Sequence, residues 1–87
     1  MVYRKNIENY LQTYIDGDLV LMNVDSGAFN ALKDTGLAIW QAIDGERDLA
    51  DIAALLADQY NIAPAVCASE VDAFVDTLVQ AGFVVAA

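Results

Sequence analysis

The chain contains no histidine and a single cysteine, Cys67, among its 87 residues. The first absence removes the commonest general base near neutral pH, and the two together leave no zinc-type donor set. An intrachain disulfide is excluded, and a catalytic cysteine would lack its histidine partner. Basic residues are scarce as well: four Lys and Arg stand against thirteen Asp and Glu, a formal net charge of −9. Nucleic-acid phosphates and anionic membrane surfaces repel such a chain, so neutral or basic partners are expected, with no nucleic acid and no membrane. No window approaches the length of continuous apolar sequence that spans a bilayer, and the N-terminal segment lacks the apolar core and cleavage site of a secretion signal. A cytoplasmic protein is the expectation.

What is present fits one small domain. A chain of this length buries only about 60 to 65% of its unfolded surface, which leaves little room for an enclosed, multi-step active site. Residues 1–9 are polar, mixed in charge and aperiodic, and read as a flexible N-terminal arm. Residues 10–87 read as a single domain. From Tyr10, the residues Tyr10, Gln12 and Tyr14 alternate with Leu11, Thr13 and Ile15, the pattern of a half-buried strand. Asp16-Gly17-Asp18 turns the chain into a second strand, Leu19 to Val24, apolar on both faces except at Asn23 and therefore central. Asp25-Ser26-Gly27 turns it again into a third strand, Ala28 to Leu32, with Phe29 and Ala31 on one face and Ala28, Asn30 and Leu32 on the other.

Three helices follow. Asp34 or Thr35 is the expected cap of the first, whose apolar residues Leu37, Ile39, Trp40 and Ile43 precede Gly45. Asp48 with Asp51 forms a partial capping box for the second, with Leu49, Ile52, Leu55, Leu56 and Tyr60 facing inward. Pro64 suits the first turn of the third, where its missing N–H leaves no bond unmade. That helix runs to about Ala81 and places Cys67, Val71, Phe74, Val75 and Leu78 on one face. Phe83, Val84 and Val85 form a short apolar tail.

No residue demands a catalytic role. Cys67 lies on the apolar helix face without a basic neighbour in sequence, as expected of an inert core thiol. Trp40 with Ile39 reads as core before ligand cleft. Asp72 and Asp76 lie four apart on the solvent side of the third helix, a solvated acidic face rather than an acid/base pair. An acyl carrier protein would bear its prosthetic arm on a Ser at a helix start, whereas Ser26 opens a strand. A winged-helix DNA binder needs a basic recognition helix, and the third helix has no Lys or Arg.

The run Val20-Leu21, Asp25-Ser26-Gly27-Ala28-Phe29-Asn30-Ala31-Leu32 and Thr35-Gly36-Leu37-Ala38-Ile39-Trp40 resembles the PqqD family, named for pyrroloquinoline quinone biosynthesis. The likeness continues through Asp48-Leu49-Ala50-Asp51-Ile52, Leu55, Tyr60 and Pro64 to Val71, Phe74, Val75, Leu78 and Ala81-Gly82-Phe83-Val84. Departures are Phe29-Asn30, where the family often has paired aromatics, and Lys33, where it often has Asn.

Family members are peptide chaperones, also called RiPP recognition elements, which bind leader segments in ribosomal peptide pathways. The resemblance implies an α+β fold in which a three-stranded antiparallel meander precedes three helices in a winged-helix-like arrangement. It implies that a precursor leader peptide adds as a strand to the edge Ala28, Phe29, Asn30, Ala31 and Leu32, in a groove against the third helix. The helix stripe Val66, Glu70, Ala73 and Thr77 is the expected lining, although periodicity alone leaves the flank of Asp72 and Asp76 open. No catalysis, metal or cofactor is expected. The partners implied are the leader peptide and a modifying enzyme, either a radical SAM enzyme or the protease and cyclase of a lasso-peptide pathway. A general protein-interaction or regulatory module using the same edge is the alternative, and the open edge allows a monomer or a strand-exchanged homodimer.

Overall fold

A computed structural model describes residues 1–86. Its elements are β1 (Tyr3–Lys5), a single 3-10 turn (Ile7–Asn9), β2 (Tyr10–Ile15), β3 (Asp18–Asn23), β4 (Phe29–Leu32), α1 (Asp34–Ala42), α2 (Leu49–Tyr60), α3 (Pro64–Gln80) and β5 (Val84–Ala86). The expected α+β meander is present: β2, β3 and β4 pair antiparallel in that order, with β3 central. A second, two-stranded sheet joins β1 to β5.

Turn chemistry sets the register of the meander. Asp16 and Gly17 both have positive φ, 53° and 86°, as in the type I′ turns whose twist matches that of paired strands. At the second turn Asn23, the one buried polar residue among those described, accepts from the backbone N–H groups of Asp25 and Ser26 at 2.8 and 3.1 Å. Its amide nitrogen donates to the Ala81 carbonyl at 2.8 Å. One side chain thus ties the entrance to β4 to the end of α3.

The core lies between the inner face of the meander and the helices. Leu19, Leu21 and Leu32 bury against Ile39, Trp40, Ile43, Ile52, Leu56, Val71, Val75, Leu78 and Phe83. Tyr10 meets Trp40 and Phe83 edge-on, with ring centroids 5.2 and 6.3 Å away. The helical layer reaches no further across β2. The expected half-buried strand is therefore exposed along its length apart from Tyr10, because Gln12 and Tyr14 extend past the helices and Leu11, Thr13 and Ile15 lie on the outer face.

The expected loose arm is also corrected. β1 pairs with β5, the Asn6 N–H donates to the Phe83 carbonyl at 2.9 Å, and the side chains of Asn6 and Asn9 both donate to the Gly82 carbonyl. Phe83 and Val84 are core residues, so the apolar tail is a strand that needs a ladder partner, and the N-terminal segment supplies it.

Two helix details differ from expectation. Neither Asp34 nor Thr35 caps α1: Lys33 occupies the cap position without a side-chain bond, and Asp34, at φ 53°, makes the strand-to-helix turn itself. Leu55 and Tyr60 face outward on α2, whose buried stripe is Ile52, Ala53 and Leu56. The capping box is complete, with Asp51 N–H to Asp48 Oδ1 at 2.8 Å and Asp48 N–H to Asp51 Oδ2 at 3.3 Å. Asp48→Ala is expected to lower unfolding free energy by about 1 kcal/mol, measurable by urea titration. On α3 the expected face is buried at Cys67, Val71, Val75 and Leu78, with Phe74 half-buried at its margin.

Candidate functional site

β4 is an edge strand, and its ladder parity decides which of its backbone groups are free. In an antiparallel pair, residues that exchange hydrogen bonds alternate with residues that do not. The Asn23 N–H donates to the Ala28 carbonyl at 2.8 Å, in register with Leu21↔Asn30 and Leu19↔Leu32. Asn30 and Leu32 therefore direct their N–H and C=O groups toward β3. The intervening pairs, Met22↔Phe29 and Val20↔Ala31, leave those of Phe29 and Ala31 directed at the open edge. Among the described residues, no hydrogen bond outside the ladder engages the backbone of either one. Ala28, expected within the strand, lies just before it, its carbonyl taken by Asn23.

The same parity divides the side chains. Leu32 enters the core and Asn30 is half-buried, whereas Phe29 and Ala31 stand on the outer face, Phe29 70% exposed. Leu11, Met22 and Phe29 lie side by side across the three strands, and Thr13, Val20 and Ala31 form the next row. Between them is an open apolar hollow of about 450 Å³, lined by Leu11, Gln12, Thr13, Val20, Met22 and Phe29. Sequence reasoning missed this surface. The alternation of Leu11, Thr13 and Ile15 with Tyr10, Gln12 and Tyr14 was its signal, but alternation alone does not say which of the two faces is the outer one.

The helix stripe has a defined neighbourhood. Asp72, Asp76 and Val79 border a small hollow with Tyr3, Leu49, Val75 and Ala86, so that flank of α3 faces the β1–β5 sheet and the start of α2. At 100° per residue, Val66, Glu70, Ala73 and Thr77 occupy the other flank, adjacent to Phe74. The Phe74 ring lies against Gly36, where a Cβ would come within 3.1 Å of it. Gly36 lies in the first turn of α1, four residues beyond Leu32, so the stripe is on the flank of α3 turned toward the start of α1. Val66, Glu70, Ala73 and Thr77 are all exposed, and the Thr77 hydroxyl donates to the Ala73 carbonyl at 3.1 Å.

Titration is perturbed elsewhere in the fold. Lys5 lies 4.9 Å from the centre of the Trp40 ring; burial pulls its pKa below the ordinary value, and the Asp44 carboxylate partly offsets this. Burial raises the Tyr10 phenol, while backbone N–H donation from Glu46, foremost, and then Arg47 holds Asp44 below the usual carboxylate range. None of these groups belongs to the β4 edge. Among the described residues no cluster of three or more metal-ligating side chains occurs, and no helix is long and apolar enough to cross a membrane.

The sequence model of coenzyme PQQ synthesis protein D (PqqD) matches residues 18–84. No curated protein sequence matches the chain. A solved structure described as lasso peptide synthetase B1 complexed with the leader peptide superposes with a TM-score of 0.85 at 23% identity, over 99% of this chain and 100% of the other. Another, TbiB1 in complex with the TbiA(β) leader peptide, superposes with a TM-score of 0.80 at 16% identity, over 93% of each chain.

Proposed function

The chain belongs to the PqqD family, and from that premise we propose that it binds the leader segment of a ribosomally synthesised precursor peptide as an added strand on β4 and presents it to a separate modifying enzyme. The observation that carries this reading is the open edge itself. Phe29 and Ala31 offer a donor and an acceptor each, spaced two residues apart, which is the template that β-augmentation uses. Backbone bonds supply affinity, and flanking surfaces select among peptides. The stripe Val66, Glu70, Ala73 and Thr77 is the flank that the guest's inward side chains would meet.

The protein then acts as a carrier rather than an enzyme. Both structural neighbours are named as leader-peptide complexes, one of them a lasso peptide synthetase B1, which favours a lasso-type protease and cyclase over a radical SAM enzyme as the downstream partner. The net charge of −9 supports a leader carrying neutral or basic residues.

The test is titration of ¹⁵N-labelled protein with synthetic leaders taken from short reading frames beside its gene. Saturable shifts concentrated at Phe29 to Leu32 and along Val66 to Thr77 are expected for one of them. Shifts confined to β2, or to the Asp72 and Asp76 flank, would reject the edge assignment. Binding of folded partner proteins with no response to any leader would favour a general interaction module.

A further inference from the structure

We infer that the outer-face hollow is a specificity pocket, and that the guest strand must carry a large apolar side chain, of the Leu, Met or Phe class, at the position opposite Ala31. This rests on the strand addition proposed above and concerns which peptides it accepts. A strand pairing antiparallel with β4 exchanges backbone bonds with Phe29 and Ala31, so the guest residues opposite these two share their outward face. Such directly opposed residues have Cβ atoms about 5.5 Å apart, within side-chain contact. The guest residue opposite Phe29 meets a large ring that already closes the row Leu11, Met22, Phe29.

The next row ends differently. Thr13 and Val20, which line the hollow, are short, and Ala31 puts only a methyl group at the edge, so beside the taller row Leu11, Met22, Phe29 this row is low where it meets the incoming strand. A side chain entering across Ala31 reaches Val20 and the flank of Phe29 and covers surface now exposed to water. No residue lining the hollow is charged, in a chain with seventeen formal charges by composition (four basic, thirteen acidic). Charged guest residues would lose hydration against that lining without meeting an opposite charge in it, whereas apolar ones gain burial.

The experiment is affinity selection of a display library of randomised fifteen-residue peptides on wild-type protein, on Ala31→Phe and on Ala31→Pro. Ala31→Phe places a β-favouring ring on an exposed face and fills the low end of that row; a native-like ¹⁵N spectrum establishes its fold. Wild type is expected to enrich peptides with one dominant large apolar position, and Ala31→Phe to shift that position to Gly, Ala or Ser. A resynthesised wild-type-selected peptide should lose at least about tenfold affinity for Ala31→Phe, with recovery when its large residue is changed to Ala. Enrichment of the same side-chain sizes by wild type and Ala31→Phe would overturn the pocket and leave strand addition standing. Failure of wild type to enrich any extended peptide, or equal enrichment by Ala31→Pro, would overturn strand addition itself.

Discussion

Ala31→Pro is expected to cut leader affinity by at least about tenfold while leaving unfolding free energy within about 1 kcal/mol of wild type. The two halves of that result come from one parity argument. Ala31 pairs with Val20 at a non-hydrogen-bonded position, so its N–H contributes nothing to the β3–β4 ladder and proline removes no bond from the fold. Asn30, which precedes it, is already extended, the conformation a following proline favours. The same N–H is the donor a guest carbonyl would use, and the pyrrolidine ring occupies the space of the incoming backbone. A buried guest carbonyl left without a donor costs about 1 to 3 kcal/mol before steric exclusion is counted. Asn30→Pro is the matched control. Its N–H faces Leu21, so that variant should destabilise the sheet, and the contrast between neighbouring prolines separates edge blockade from unfolding. Isothermal titration with the cognate leader, alongside urea denaturation of all three proteins, measures both effects. Unchanged affinity in folded Ala31→Pro would sink the edge assignment.

Local signals in the chain carried the meander, the three helices and most of the core. Alternation, turn residues and capping chemistry act over a few positions, so Asp16-Gly17, Asp25-Ser26-Gly27, Asp48 with Asp51, and Pro64 announce their elements where they stand. The buried face of α3 follows from helical spacing alone. What stayed hidden depends on which layer covers which surface. Leu11, Thr13 and Ile15 alternate as a core strand would, but the side on which helices pack is a tertiary fact, and here the helices lie opposite. The aligned rows that build the hollow need the register of all three strands at once. The stripe Val66, Glu70, Ala73 and Thr77 was legible as a flank, while its orientation relative to Asp72 and Asp76 required Phe74 against Gly36 and Val79 against β1 and β5. β1 was illegible for a related reason. Its residues are polar and aperiodic because backbone pairing and asparagine amides hold it, with partners 76 positions away and more.

Deletion of residues 1–9 is accordingly expected to destabilise the protein by on the order of 3 to 6 kcal/mol, a large share of the roughly 5 to 15 kcal/mol available to a small domain. The Gly82 carbonyl accepts from both Asn6 and Asn9, and Phe83 accepts from the Asn6 N–H. Removing these donors strands acceptors next to Phe83 and Val84, each about 1% exposed, where water would have to enter the core to replace them. The Asn9 carbonyl also accepts from the Val24 N–H at 3.0 Å, so the loss extends to the turn that leads into β4. β5 loses its ladder partner, and the Trp40 ring loses the Lys5 side chain that covers it. Thermal and urea unfolding followed by far-ultraviolet dichroism reads the loss directly. Because the turn after Asn23 positions β4, leader affinity should fall even under conditions where the truncated protein remains folded. Asn9→Ala, which keeps the backbone carbonyl but removes one donor to Gly82, should reproduce about 1 kcal/mol of the stability effect and little of the affinity effect. A truncated protein as stable as the full chain would show that the β1–β5 sheet is not part of the cooperative fold.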